Sequence, residues 1–266
     1  MRFDRLLAPS TLDRSQLRVT TGGLQAFGGL RYDMLRRELS LYPNPNDLRP
    51  GLEYVLTVDV GIRGWDGSAL PAPMEVRFRP TVREPVPRDV VPSLRRDVAP
   101  LFARHCADGG CHGDSSPAMG LDLSSASAIR ASCLGVQARE RGGRATLEML
   151  DPRWSTMPRI DPGITAGRGR PEYSYLIYKL LGDGPIWGAR MPLGREPLTD
   201  AQTRLVIDWV SAGAPRCTTN TGEVRCTVRA RPQAWSNSAR VCSRAQASGA
   251  SPSAAASARA APRLGQ

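Results

Sequence analysis

The chain has 266 residues, of which 41% are hydrophobic and 23% are charged, a composition typical of globular proteins. Because one domain usually takes about 100–200 residues, this length predicts two compact units and a tail. The sequence contains no run of about 18 apolar residues, so it includes no candidate for a transmembrane helix.

The net charge of +11 is concentrated near the C-terminus. Residues 216–266 contain eight arginines and one acidic residue, whereas 1–80 and 81–215 are nearly balanced. Lys179 is the only lysine in the chain, and this preference for arginine indicates a coding bias more than a phosphate-binding surface. We therefore expect no nucleic-acid partner.

Residues 1–80 contain short runs in which apolar and polar side chains alternate, as strands with one buried face require. Turn residues such as Gly22-Gly23 and Asp66-Gly67 separate the runs. Several short strands at this spacing predict a small β-sandwich. The runs lie at 17–20, 38–42, 54–58 and 74–78.

Short motifs stand in a fixed order within this stretch. They are Phe3-Asp4-Arg5, Pro9-Ser10-Thr11, the Leu-x-Pro-Gly-x-x-Tyr turn at 48–54, Gly67 and the run 74–78. Together they resemble the bacterial Ig-like domain of exported proteins over most of residues 1–80. The resemblance implies a spacer or adhesive module without a catalytic role.

A proline-rich stretch separates this region from the rest of the chain. Residues 80–93 contain four prolines, which prevent regular helix or strand, and we assign 81–93 as a linker. Ser93 then stands at the position of a helix N-cap, and apolar residues from Leu94 to Phe102 recur at helical spacing. The sequence predicts a helix that ends directly before a pair of cysteines.

Cys106, Cys111 and His112 form the motif that carries the most chemistry. Two neighbouring thiols can add to the two vinyl groups of haem, and a histidine directly after the second can bind the iron. Four residues separate these cysteines where two are usual, and Gly109-Gly110 give the longer loop its backbone freedom. The alternatives are a disulfide that closes the loop and a zinc site, which would need further ligands from the other cysteines and His105.

Four further segments follow the motif in order, at 120–124, 174–182, 190–194 and 198–215. With the motif they resemble the cytochrome c domains of bacterial envelope proteins over about residues 97–215. The resemblance implies a mono-haem electron carrier whose second axial ligand is the methionine of the Met-Pro segment, Met191. A thioether opposite an imidazole favours Fe(II) and raises the reduction potential, as suits an electron carrier.

Met157 is a rival ligand, because it also precedes a proline. We prefer Met191 because it directly precedes the closing helix, where Thr199 and Gln202 are spaced as a capping box before an amphipathic run. Plain core packing is the alternative for either methionine.

The other four cysteines form an even set that would make two disulfides in an oxidising compartment, in any of three connectivities, or stay as free thiols. They are Cys133, Cys217, Cys226 and Cys242, of which Cys217 and Cys226 are the closest pair in sequence. We assign 216–244 as a cysteine-containing extension. Residues 245–266, which are mainly Ala, Ser, Gly and Arg, are predicted to be a disordered tail.

The predicted fold class is therefore multidomain, with an all-β Ig-like sandwich at 1–80, an all-α cytochrome c-like domain at 94–215 and a disordered C-terminal tail. The predicted function is single-electron transfer with one haem c in the periplasm or cell envelope, between a donor and an acceptor that the sequence does not identify. Residues 1–5 do not form a signal peptide, so we expect an export signal upstream, which is also the only means of membrane attachment.

Two other functions remain open. One is an exported non-redox scaffold or adhesive protein whose cysteines form disulfides. The other is an enzyme with a haem centre, although no Ser/His/Asp, paired-carboxylate or nucleotide-loop constellation supports it.

Overall fold

The structure is a computed structural model and describes residues 1–216 except 27, 45–46, 81–90, 114, 140–144 and 166. Its N-terminal part is a β-sheet region and its second part is helical, which confirms the predicted order of a β part followed by a helical part. The strands are β1 (Leu17–Thr21), β2 (Leu24–Ala26), β3 (Gly28–Asp33), β4 (Glu38–Pro43), β5 (Tyr54–Val58) and β6 (Met74–Phe78).

The strands form two antiparallel sheets. One sheet has four strands in the order β2-β1-β5-β6, and β3 and β4 pair as a separate two-stranded sheet. Leu17 of β1 lies opposite Val58 of β5, so the two apolar side chains share one face of the sheet. Both belong to a buried cluster that also includes Leu39 of β4. The apolar faces of the two sheets therefore share a core.

The helical part begins after a π-helical turn at Leu94–Val98, where the Ser93 side chain accepts the Arg96 backbone N–H as predicted for an N-cap. The last helix carries the predicted capping box between Thr199 and Gln202. The helices are α1 (Ala99–His105), α2 (Ala126–Cys133), α3 (Ala145–Leu150), α4 (Tyr175–Leu181) and α5 (Asp200–Ser211), with short 3-10 turns at Pro9–Thr11, Arg14–Gln16, Ala118–Gly120, Pro152–Thr156 and Pro171–Tyr173.

The largest hydrophobic core contains residues from both the β region and the helices. Trp65, from the loop between β5 and β6, packs edge-on against Trp154 and Tyr178, with ring centroids 5.8 and 5.9 Å away. The Trp65 indole N–H also donates to the Tyr178 hydroxyl at 3.2 Å. This aromatic cluster joins the two parts of the chain in one packed interior.

Four of the strands lie where the alternating runs predict them, but β2 and β3 were not predicted. β2 has only three residues, and β3 begins with Gly28-Gly29, which carry no side chains to mark a buried face. The hairpin of β3 with β4 is visible only in the backbone pairing, from Gly28 opposite Pro43 to Asp33 opposite Glu38.

Several predictions lie outside the described residues. They are the linker over 81–90, the extension after residue 216 with Cys217, Cys226 and Cys242, and the tail at 245–266. The division into an Ig-like domain at 1–80 and a cytochrome c-like domain at 94–215 stays a prediction. In the part of the chain that the structure describes, none of the helices combines the length and the apolar character needed to cross a membrane.

The bond between Trp65 and Tyr178 makes a testable contribution to stability. In Tyr178→Phe the indole N–H loses its acceptor in a buried setting, so we expect the free energy of unfolding to fall by about 1–3 kcal/mol in urea denaturation. The control is Tyr42→Phe, because Tyr42 is 48% exposed and its change should stay within about 0.5 kcal/mol. Equal stability of the Tyr178 variant and the wild type would contradict this role.

Candidate functional site

The cysteine-histidine loop begins where α1 ends. The Cys106 N–H still donates to Phe102 in the last helical turn, and the Cys111 N–H donates to the Asp108 carbonyl at 3.0 Å, which closes a turn. The His112 N–H then returns to the Cys106 carbonyl at 3.1 Å. These bonds hold the two cysteines and the histidine in one compact loop, although four residues separate the cysteines.

Two positions of this loop require glycine. Gly110 has φ of +80°, a region that side-chain-bearing residues rarely adopt. A Cβ on Gly113 would lie 1.8 Å from the Ala107 carbonyl oxygen, so the chain passes too close for any side chain. Gly109, which was expected to share the backbone freedom, is not among the glycines with positive φ.

The His112 ring is oriented by a hydrogen bond. Its Nδ1 lies 3.1 Å from the Leu121 carbonyl oxygen, and because a carbonyl can only accept, Nδ1 carries the proton. Nε2, the other ring nitrogen, takes no part in this bond and is the atom that could bind a metal. Metal-binding histidines usually donate the other ring N–H in this way, which fixes the tautomer and the ring.

Cys106, Cys111, His112 and Met191 all line one cleft. The cleft is partly open to solvent, and its empty volume of about 1110 Å³ includes that open space. Its walls are mainly apolar and include Phe102, Leu121, Leu123, Leu176 and Leu180. The structure therefore brings the predicted haem-binding residues together at one mainly apolar cleft.

The rival methionine has a different setting. Met157 is 1% exposed in the hydrophobic core and is not among the residues that line the cleft. Met191 lines the cleft, and its backbone N–H donates to the Lys179 carbonyl at 2.9 Å. The geometry favours Met191 as the ligand and core packing as the role of Met157.

Sequence reasoning missed the basic residues of the cleft. Arg159 is buried, and its guanidinium donates to the Gly120 and Ser132 carbonyls at 2.9 and 2.6 Å and also to the Met119 carbonyl. Arg139 and Arg195 line the cleft as well, and Arg195 pairs with Asp108 of the cysteine loop. No local sequence signal marks Arg159 and Arg195, because their partners come from distant segments.

Burial changes the acidity of two thiols. Desolvation raises the pKa of Cys106 to about 11, with smaller contributions from the Asp108 carboxylate and Cys111, and it raises the pKa of Cys133 to about 12. Cys106, Cys111 and Cys133 are free thiols in this structure. Within the described ranges no three His, Cys, Asp or Glu side chains cluster as a metal site.

The residues present fit a covalently attached haem. The donor set of two thiols, an imidazole with a fixed tautomer and a thioether is the set that haem c uses, and the apolar walls suit a large flat ring. Cys106 and Cys111 would hold the ring covalently, and His112 and Met191 would bind the iron.

Comparison with known proteins gives no family assignment. No protein-family model matches the chain. A search of curated proteins also finds no significant match. The functional interpretation therefore depends on the residues and their geometry.

The three thiols that the structure describes should differ in reactivity. Cys111 is exposed, whereas Cys106 and Cys133 are buried and hold their protons at neutral pH because their pKa values are raised. In folded protein made in a reducing cytoplasm, we expect iodoacetamide to modify Cys111 first, as read by peptide mass mapping. Modification of Cys106 at the same rate would show that the loop opens; a urea-unfolded sample, in which the three should react alike, is the control.

Proposed function

We propose that this protein is an electron-transfer protein with a single haem c. Cys106 and Cys111 would hold the ring through thioether bonds, and His112 and Met191 would bind the iron. The observation that carries this proposal is the meeting of these four side chains in one apolar cleft, with the His112 tautomer set by Leu121. The bound iron supplies one-electron exchange between Fe(II) and Fe(III).

Each side chain of the site has a separate task in this proposal. The Cys106–His112 loop holds the imidazole by its bond to the Leu121 carbonyl, so that Nε2 keeps one direction. The thioether of Met191 is a soft ligand that favours the reduced iron. The apolar walls would limit the access of water to the iron, which also raises the reduction potential.

The finer fold and the location belong to the same proposal. We infer an Ig-like β-sandwich in the N-terminal part and a cytochrome c-like helical domain after it, supported by the two packed sheets and by the cysteine-histidine loop at the end of α1. Covalent haem attachment implies the periplasm or cell envelope. The partners are a redox donor and an acceptor, whereas in the alternative, a disulfide-bonded scaffold, the cysteines carry no haem.

Covalent haem is the first expected result. Protein produced in a periplasm with cytochrome c maturation factors should keep its haem after denaturation and give a thioether-type pyridine haemochrome α-band. Cys106→Ala/Cys111→Ala should lose the band, because no thiol of the loop is left to add to the vinyl groups. Cys133→Ala is the matched control, since it removes a cysteine outside the cleft. Well-folded wild-type protein without haem would favour the scaffold instead.

The two methionines should give opposite results. Met191→Ala should lose the methionine-to-iron absorption band of the ferric protein and show a lower reduction potential, because the thioether ligand is removed. Met157→Ala should keep the absorption band and the reduction potential. It should instead lose about 2–5 kcal/mol of folding free energy, because removal of a buried side chain leaves a cavity. Loss of the band in the Met157 variant alone would reverse the assignment.

A further inference from the structure

Lys179 is an unusual residue in this chain. It is the only lysine beside 35 arginines, and it is only 6% exposed. It belongs to α4 and lines the cleft that contains Met191. A buried ammonium group is costly unless it is hydrogen-bonded, so its contacts must compensate for the lost hydration.

The contacts of Lys179 converge on the segment that ends at Met191. Its Nζ donates to the Trp187 carbonyl at 2.9 Å and to the Ala189 carbonyl at 2.6 Å. Its own backbone carbonyl accepts the Met191 N–H at 2.9 Å. One residue therefore fixes three backbone groups within a stretch of five residues, and the last of them belongs to the predicted ligand.

The shape of the side chain explains why a lysine stands here. An ammonium is compact and presents three donors in a tetrahedron, whereas a guanidinium is a planar fork that suits flat, bidentate acceptors. The Trp187 and Ala189 carbonyls lie two residues apart on one loop, and the compact ammonium can donate to both. Bonds from a charged donor are also stronger than neutral ones, so they hold the loop more firmly.

We propose that Lys179 is a positioning residue that holds Met191 against the iron. This inference rests on the proposed haem function. Methionine has three rotatable bonds and a weak, soft donor atom, so its position depends on the backbone that carries it. Without the ammonium, the segment 187–191 samples other arrangements, and the ligand-bound one becomes less populated.

The test compares wild-type holoprotein with Lys179→Leu. An external ligand such as imidazole must displace Met191, so a weaker Met191 bond should raise the apparent affinity of the ferric protein for imidazole, by about tenfold or more. Imidazole is neutral, so removal of the lysine charge has little direct effect on its binding. The methionine-to-iron absorption band should weaken in parallel, while the pyridine haemochrome spectrum stays unchanged because the cysteines are intact.

A matched control separates positioning from general destabilisation. Ile177→Ala alters a fully buried residue of the same helix that does not line the cleft, so it should lower thermal stability and leave imidazole affinity unchanged. Lys179→Gln keeps an N–H donor and should lie between Lys179→Leu and the wild type. If Lys179→Leu does not fold, Lys179→Gln becomes the test of the proposal. An imidazole affinity of Lys179→Gln equal to that of the wild type would then overturn it.

The outcomes distinguish this inference from the proposed function. Wild-type protein without covalent haem, or with haem but no methionine band, would contradict the proposed function itself. A wild type with both features and a Lys179→Leu variant with the same imidazole affinity and the same band would leave the function intact and overturn the positioning role.

Discussion

The burial of the short helix α4 is the constraint on which the rest of the structure depends. Residues 175–180 of α4 are all buried, so every polar group on the helix must be bonded inside the protein. The Tyr178 hydroxyl donates to the Glu172 carbonyl and accepts from Trp65, and the Tyr175 hydroxyl accepts the Trp187 N–H. With Lys179, these bonds connect α4 to the β region, to the chain before it and to the segment that carries Met191.

The β region is therefore part of the setting of the site. The resemblance to Ig-like modules implies a spacer or adhesive unit, but Trp65 of this region packs in the same aromatic cluster as Tyr178 and Trp154. Trp154 in turn lies 5.8 Å from Tyr175, which lines the cleft. A series of ring contacts thus connects the β region to the cleft. The packing of the β region therefore supports the shape of the cleft.

Local signals in the sequence predict much of this structure. Strand periodicity locates β1, β4, β5 and β6, and the Thr199–Gln202 capping box locates α5, because both signals lie within a few residues. The cysteine-histidine motif was found for the same reason. The roles of Lys179 and Arg159 could not be predicted from the sequence. Their hydrogen-bond acceptors are backbone carbonyls of other segments, and any residue type can present such a carbonyl.

The longer cysteine loop makes a contact with the segment that follows Met191. Its additional length forms the turn from Asp108 to Cys111, and the Asp108 carboxylate pairs with Arg195, four residues after Met191. Both side chains are substantially exposed, so the pair contributes only about 0–1 kcal/mol to stability. Its significance is geometric, because it links the loop of Cys106, Cys111 and His112 to the segment that follows Met191. The two segments on which the proposed haem site depends are therefore joined by this pair.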